Sequence, residues 1–306
     1  MDESVSVDYI TLDVFTDRAF GGNPLAVVPD GHRLTDGEMQ AIAAEFNYSE
    51  TTFLLPPNNS RATARVRIFT PSKELPFAGH PNVGTGFVVA GFGQIFGQSA
   101  GETLLFEETA GLVPVSIIRE NGAVAGAFLT APQPLSVGRG VAPEIAAECL
   151  GLASGDIVAE SGAPVIASVG LPFLFVELGS REVLAQCRPE ASAFARHLSD
   201  LGTDAIHVFV REGAEVYARV FVSQGRMFED PATGSANLAL AALLAERAAE
   251  RDAELALEIT QGVEMGRRSR LSARAVKRCG IVERAEIGGR CVEVMRGRLA
   301  FARRGA

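Results

Sequence analysis

An α+β fold of two pseudo-symmetric halves is what this sequence predicts, on three observations. A strand-loop-helix unit occurs twice, short apolar strands separated by glycine turns fill much of the remainder, and segments with helical periodicity are few. The 306 residues suffice for one large domain or two smaller ones, with a sizeable core.

The repeat carries most of this prediction. Its first copy reads Arg67-Ile68-Phe69-Thr70, then Glu74-Leu75-Pro76-Phe77-Ala78-Gly79-His80-Pro81-Asn82. The second reads Arg219-Val220-Phe221-Val222, then Glu229-Asp230-Pro231-Ala232-Thr233-Gly234-Ser235-Ala236-Asn237. Glu, Pro, Gly and Asn recur at one constant offset (74/229, 76/231, 79/234, 82/237). The preceding strands match at an offset three residues smaller, so the second connecting loop is longer by three. In each copy a strand passes through a Pro/Gly loop into a small-residue helix, expected near residues 80–90 and 235–251. In the second helix Leu240, Leu243 and Leu244 keep helical spacing. Helix N-termini carry unpaired N–H groups and the positive end of a dipole, so two of them suit an anionic group such as a carboxylate.

A further helix is expected after Thr35, which stands at capping-box spacing from Glu38. Met39, Ile42, Ala43 and Phe46 make its apolar stripe and put Glu45 near its C-terminal end. Strands are expected at 9–15, 25–28, 50–55, 113–118, 123–129, 173–178 and 207–211. The stretch 285–302 reads as a hairpin turning at Gly288-Gly289, and 130–134 as the linker between halves.

Composition narrows the functional classes. With 47% hydrophobic and 21% charged residues the chain is an ordinary globular protein. A net charge of −9 argues against non-specific nucleic-acid binding, and the basic stretch 267–304 alternates with apolar residues as strand faces do. No apolar stretch reaches the roughly 18–20 residues that span a membrane. The acidic start, Met1-Asp2-Glu3-Ser4, does not read as a signal peptide. Cys149, Cys187, Cys279 and Cys291 form no C-x-x-C pair, so they read as reduced cytoplasmic thiols rather than zinc ligands. Gly84-Thr85-Gly86 and Gly91-Phe92-Gly93 lack the third glycine and the acidic residue of a dinucleotide site. His32, His197 and His207 read as surface or structural residues.

What remains is Glu45, Glu74, His80, Glu229, Asp230 and Ser235. Each alone is a solvated charge or a cap, and Ser235 has the chemistry of an N-cap. The repeat sets His80 and Asp230 in equivalent loops. Together with a Glu and two helix ends they make a proton-transfer constellation that needs no metal or organic cofactor when the substrate's own conjugation stabilises charge.

These residues resemble the PhzF-like proteins of the diaminopimelate-epimerase fold, over nearly the whole chain. The resemblance is carried by Leu12-Asp13-Val14-Phe15-Thr16 with Phe20-Gly21-Gly22-Asn23-Pro24, by Ala44-Glu45-Phe46-Asn47-Tyr48-Ser49-Glu50-Thr51-Thr52-Phe53, and by both loops of the repeat. It implies two halves, 1–129 and 130–292, each a sheet or barrel wrapped around a central helix. Residues 293–306 would return to the first half, and the site would lie in a cleft between the halves. It implies an isomerase in which Glu45 takes a proton from one substrate carbon and returns it to another. His80, Asp230 and Ser235 would assist, and the backbone amides of Gly79, His80, Gly234 and Ser235 would bind the substrate carboxylate. A small carboxylate substrate, no cofactor, no metal, no nucleic acid, no membrane and a homodimer complete the implied picture. For Glu45 to work near neutral pH, partly apolar surroundings are expected.

Related racemases and epimerases use a pair of opposed thiols. The matching positions here are Ala78 and Thr233, so that mechanism is unavailable. Arg268 stands where the family stretch around Gly262–Ser269 has proline, a departure that bears on substrate preference. Two alternatives accompany the isomerase reading: a non-thiol epimerase or racemase of a small amino or hydroxy acid, and a non-catalytic metabolite-binding protein. Solvent-deuterium uptake separates enzyme from binder, and product chirality separates epimerase from isomerase.

Overall fold

The computed structural model describes residues 3–159, 162, 164–223 and 227–303. The chain groups into two compact units, one running to Leu129 and resuming at Gly289, the other Thr130–Gly288. In chain order the strands are β1 (Glu3–Val14), β2 (Asn23–Val28), β3 (Glu50–Leu55), β4 (Ala64–Phe69), β5 (Glu74–Leu75), β6 (Gln94–Ile95), β7 (Gln98–Ser99), β8 (Thr103–Glu108), β9 (Gly111–Glu120) and β10 (Ala123–Thr130). They continue with β11 (Ser136–Gly140), β12 (Val165–Ser168), β13 (Pro172–Glu177), β14 (Ala205–Glu212), β15 (Glu215–Ser223), β16 (Met227–Asp230), β17 (Ala253–Gln261), β18 (Ser269–Arg278) and β19 (Ile281–Arg303). The helices are α1 (Asp36–Phe46), α2 (Gly79–Phe92), α3 (Pro143–Leu150), α4 (Arg181–Gln186), α5 (Ala191–His197) and α6 (Gly234–Arg247). None is long and apolar enough to cross a membrane.

In the first unit β1 pairs antiparallel with β2, β2 parallel with β3, β3 antiparallel with β4 and β4 parallel with β8. The antiparallel pairs β8–β9 and β9–β10 follow. The C-terminal stretch of β19 lies antiparallel to β1 and also pairs with β10. The strands thus close on themselves, which removes free edges. Inside runs α2, packed against β1, β2, β3 and β9. From residue 83 to residue 90 its side chains are apolar or small on every side, as an enclosed helix requires. A Cβ on Gly84 would lie 2.8 Å from a Val14 methyl, so only glycine lets α2 approach β1 this closely. On the outer face Met39, Ile42 and Ala43 of α1 pack with Val5, Val28, Phe53 and Phe69. The capping box of Thr35 and Glu38 starts α1 as expected.

The second unit runs β11-β12-β13 antiparallel, then β13–β14 parallel, β14–β15 antiparallel, β15–β17 parallel and β17–β18 antiparallel. The first residues of β19 complete it against β18. Its enclosed helix, α6, packs against β12, β13, β17 and β18. Leu150, Leu184 and Phe194 of α3, α4 and α5 cover Leu174, Val176, Ile206 and Val208 on the other face. The pairing series β2-β3-β4-β8-β9 is therefore repeated, parallel for parallel, by β13-β14-β15-β17-β18. The sequence repeat is the visible part of a repeat of whole half-barrels.

The hairpin expected at Gly288-Gly289 is a misreading. Residues 281–303 form one strand, paired with β18 before the glycines and with β1 after them. The physical reason is close backbone approach: a Cβ on Gly126 would strike the carbonyl oxygen of Gly289. Gly-Gly serves here to bring two strands together rather than to turn the chain.

Candidate functional site

Each unit carries its share of the candidate residues on the loop that opens its enclosed helix. In the first unit Ala78 precedes α2 in extended conformation and makes no side-chain cap, so Gly79 and His80 begin the helix. Asn82 instead reaches back, its Nδ2 donating to the Ala78 carbonyl at 2.9 Å. In the second unit Thr233 precedes α6, also without a side-chain cap, and Asn237 donates to the Thr233 carbonyl at 3.0 Å. The repeated asparagines are thus the device that holds both turns. Ser235 is the second residue of α6, so its reading as an N-cap is corrected.

The repeated glutamates are structural. The Arg67 guanidinium donates from Nε and Nη2 to both oxygens of Glu74, at 2.8 and 2.7 Å. Arg219 does the same to Glu229, at 2.9 and 2.8 Å. Arg219 also donates to the carbonyls of Leu184 and Cys187. Glu74 and Glu229 leave the list of proton-transfer candidates because an arginine fork occupies both oxygens of each.

His80 is buried, and its ring is held between two partners in its own unit. The Pro24 carbonyl hydrogen-bonds one ring nitrogen. The other, Nε2, lies 3.3 Å from Glu50 Oε2 on β3 without hydrogen-bond alignment. Burial pushes the imidazole down to about 3, against the opposing pull of the Pro24 carbonyl. An ion pair with Glu50 would require the opposite, a protonated ring. At this burial the neutral imidazole is favoured, because desolvation penalises the charged form. The neutral ring bonds Pro24 through Nδ1–H and turns Nε2 toward the Glu50 carboxyl. Pro24 is itself fixed by the Phe20–Pro24 turn, where the Phe20 N–H donates to Asp13 Oδ2 at 2.6 Å.

Glu45 sits in the last turn of α1, which Asn47 closes in the left-handed conformation at φ 52°. Its side chain is exposed, and among the described residues it forms no ion pair or hydrogen bond. Among the described residues of its own unit the partly apolar surroundings expected for it are not found. Phe46 instead stacks edge-on to Tyr9, with centroids 5.1 Å apart, and lies 5.8 Å from Tyr48, so the rings bury one another rather than the carboxylate.

In the second unit Asp230 is buried and accepts from the Thr233 hydroxyl at 2.6 Å. Gln261, at the end of β17, accepts from the Thr233 N–H and from Asn237, and donates to the Asp230 carbonyl and the Thr233 hydroxyl. His207 Nε2 bonds Asn237 Oδ1 at 2.8 Å, and burial lowers its pKa to about 4. The Ser235 hydroxyl, nearly buried, has no hydrogen-bond partner among the described residues. Ser269 donates to the Pro231 carbonyl at 2.8 Å, which ties the exposed Arg268 segment to the Asp230 turn. Among the described residues no three His, Cys, Asp or Glu side chains are grouped to hold a metal ion.

Sequence reasoning missed Gln261, Glu50 and Pro24 as partners of the site. The last two lie inside the motifs quoted above, and Asn82/Asn237 recur in the repeat. Gln261 has no such signal, because its counterpart in the first half is not a glutamine.

The family model for phenazine biosynthesis-like proteins (PhzC-PhzF) matches residues 12–297. An uncharacterized isomerase of Mesorhizobium japonicum is 36% identical over 299 residues, covering 95% of this chain and 98% of that protein. The trans-2,3-dihydro-3-hydroxyanthranilate isomerase of Pseudomonas chlororaphis is 35% identical over 293 residues, covering 96% and 99%. The crystal structure of a Bacillus anthracis phenazine biosynthesis protein of the PhzF family superposes with a TM-score of 0.83 at 26% identity, over 96% of this chain and 99% of that one.

Proposed function

From the premise that this chain belongs to the phenazine biosynthesis-like family and is an isomerase, we propose that it shifts a double bond in a small unsaturated carboxylate, with Glu45 carrying the proton. The observation that carries this reading is the state of the carboxylates. Glu74 and Glu229 are locked to arginines, Glu38 to Arg303, and Asp230 to the Thr233 hydroxyl. Glu45 alone among the candidates is exposed and without an ion-pair or hydrogen-bond partner in the described residues. A carboxylate in that state can take a proton and give it back.

The roles follow from chemistry. Glu45 removes a proton from an allylic or α carbon, the electron pair spreads into the adjoining unsaturation and carboxyl group, and Glu45 returns the proton to a different carbon. The sum is one carbon–hydrogen bond broken, one formed and one double bond moved. No outside acceptor of electrons is required, and the reading assigns no metal or cofactor. The N–H groups of Gly79 and His80 in one unit, and those of Gly234 and Ser235 in the other, are this reading's candidates to receive the carboxylate, as unpaired amides at helix starts do. The Ser235 hydroxyl is available for one more hydrogen bond. His80 acts through its backbone amide, its ring held against the Pro24 carbonyl, and Asp230 holds Thr233 and the turn. The substrate class is that of the Pseudomonas relative's substrate, a small cyclic amino or hydroxy carboxylate with conjugated double bonds. The enzyme is read as cytoplasmic, in keeping with its four free cysteines, and as a homodimer, which sedimentation would test.

The reading is tested by incubation in D₂O with trans-2,3-dihydro-3-hydroxyanthranilate and a panel of unsaturated, hydroxylated and amino carboxylates. Mass gain together with a moved double bond supports it. Inversion at a carbon with the double bonds unmoved would replace it with the epimerase reading. Retention of ligand without any mass gain would replace it with the binding-protein reading.

A further inference from the structure

The two units end equivalent strands on different side chains. The buried face of β8 presents Leu104, Phe106 and Glu108; that of β17 presents Leu257, Ile259 and Gln261. Their registers agree. Phe106 pairs with Ala64 and Ile259 with Val216, each partner three residues before the repeat arginine. Glu108 therefore occupies the place of Gln261.

Gln261 uses both ends of its amide, as acceptor and as donor, to hold the turn before α6. A carboxylate can only accept, whereas a carboxylic acid can do both. Glu108 is 8% exposed, and neither of its oxygens has a hydrogen-bond partner of good geometry among the described residues. The polar group leaning on it is the Asn82 side chain, the same asparagine that grips Ala78. We propose that Glu108 is a positioning residue kept as a neutral carboxylic acid, accepting from Asn82 and donating its own proton within the 75–82 turn, as the Gln261 amide does in the other unit.

Burial agrees with this, pushing Glu108 up to about 8 with only the Asn82 amide opposing. Among the described residues no charged group reverses the effect. On β8 itself Glu107 points to the other face and takes the Asn58 and Asn59 amides. On β4, Arg65 pairs in register with Glu107. On β9 the residue opposite is Gly111. On α2 the only titratable side chain is His80, which burial keeps neutral. The protonation stands apart from the proposed function. The consequence for catalysis, a turn whose amides stay aimed, rests on that reading.

Wild type, Glu108→Gln and Glu108→Leu would be compared by thermal unfolding from pH 5 to 9, by infrared spectroscopy, and by KM and kcat for trans-2,3-dihydro-3-hydroxyanthranilate. A carboxyl whose folded pKa is raised stabilises fully below the unfolded value and loses that contribution as pH rises through the folded one. Wild type should therefore lose ground to Glu108→Gln between pH 4.5 and about 8. The Tm difference should reach about 5 °C or more at pH 8 and close toward pH 5. At pH 7 a protonated-carboxyl band should be present in wild type and absent from the Gln variant. Glu108→Leu should raise KM about tenfold with kcat little changed, and Gln should rescue it. A Tm difference flat across pH, or no such band, overturns the proposal. Equal KM in the Leu and Gln variants overturns the positioning role. Absence of turnover by wild type would strike the proposed function alone, since the unfolding and infrared results decide the protonation without it.

Discussion

Around the first turn of α6 most of the polar groups satisfy one another, Ser235 and the Nδ1 of His207 excepted. Thr233, Asn237, His207, Gln261 and Asp230 form a network of amide, imidazole and hydroxyl contacts in which the amides cannot change protonation near neutral pH. Around the first turn of α2 the same frame carries groups that can. His80 Nε2, Asn82 Oδ1 and both Glu108 oxygens lie buried without well-aligned partners among the described residues, and Glu50 faces the His80 ring. The lesson is a division of labour within a duplicated fold. One unit fixes its turn chiefly with the proton-invariant amides of Gln261 and Asn237, and the other places the ionisable Glu108 where Gln261 stands.

The largest contrast to test is the repeated ion pair. Arg219 is the more deeply enclosed, with its side chain 6% exposed against 12% for Arg67, and it also serves two carbonyls. Arg219→Met should cost about 3–5 kcal/mol, because it strands a shielded Glu229 and two acceptors. Arg67→Met should cost about half as much or less, since Glu74 is better solvated. Urea unfolding measures both, and equal losses would break the comparison. Next in size is Gln261→Leu, which removes the partners of the Thr233 N–H and the Asp230 carbonyl and should cost about 2–3 kcal/mol. A neutral result would mean the network is dispensable.

The buried histidines predict acid sensitivity in both units. His80 and His207 have folded pKa values of about 3 and about 4 against 6.5 for the free side chain. Between those values the unfolded chain binds more protons, so stability falls as pH drops below 6.5 and is fully present above it. Each histidine contributes on the order of 3 kcal/mol to that loss by pH 4. His207→Gln should flatten the lower part of the unfolding profile by about half, and an unchanged profile would count against a neutral His207. The smallest effect expected is for Ser235→Ala. With no protein partner to lose, its stability should stay within about 0.5 kcal/mol of wild type, while KM rises roughly three- to tenfold for the lost substrate hydrogen bond. A fall in Tm with KM unchanged would make Ser235 a structural residue.

Much of this was legible in the chain. Thr35 and Glu38 announced α1, and a Pro/Gly loop before a small-residue run announced α2 and α6, because those signals are local. The glutamates of the repeat were legible as repeated but not as inert. Whether an arginine on the preceding strand reaches a carboxylate depends on strand pairing, which spacing alone does not fix. Gly288-Gly289 misled for the same reason: the constraint on it is Gly126, more than 160 residues away in sequence. Glu108 carries no local signal in the sequence. Only the register of β8 against β17 aligns it with Gln261, and a change of residue type between the copies hides that correspondence from the sequence.

The central claim is that one exposed carboxylate moves the proton. Glu45→Gln keeps the size and hydrogen-bonding reach of the side chain and removes only its basicity. Its kcat on trans-2,3-dihydro-3-hydroxyanthranilate, measured beside a thermal melt that verifies folding, should fall about a thousandfold while Tm stays put. A variant that folds like wild type and turns over within tenfold of it would contradict the account.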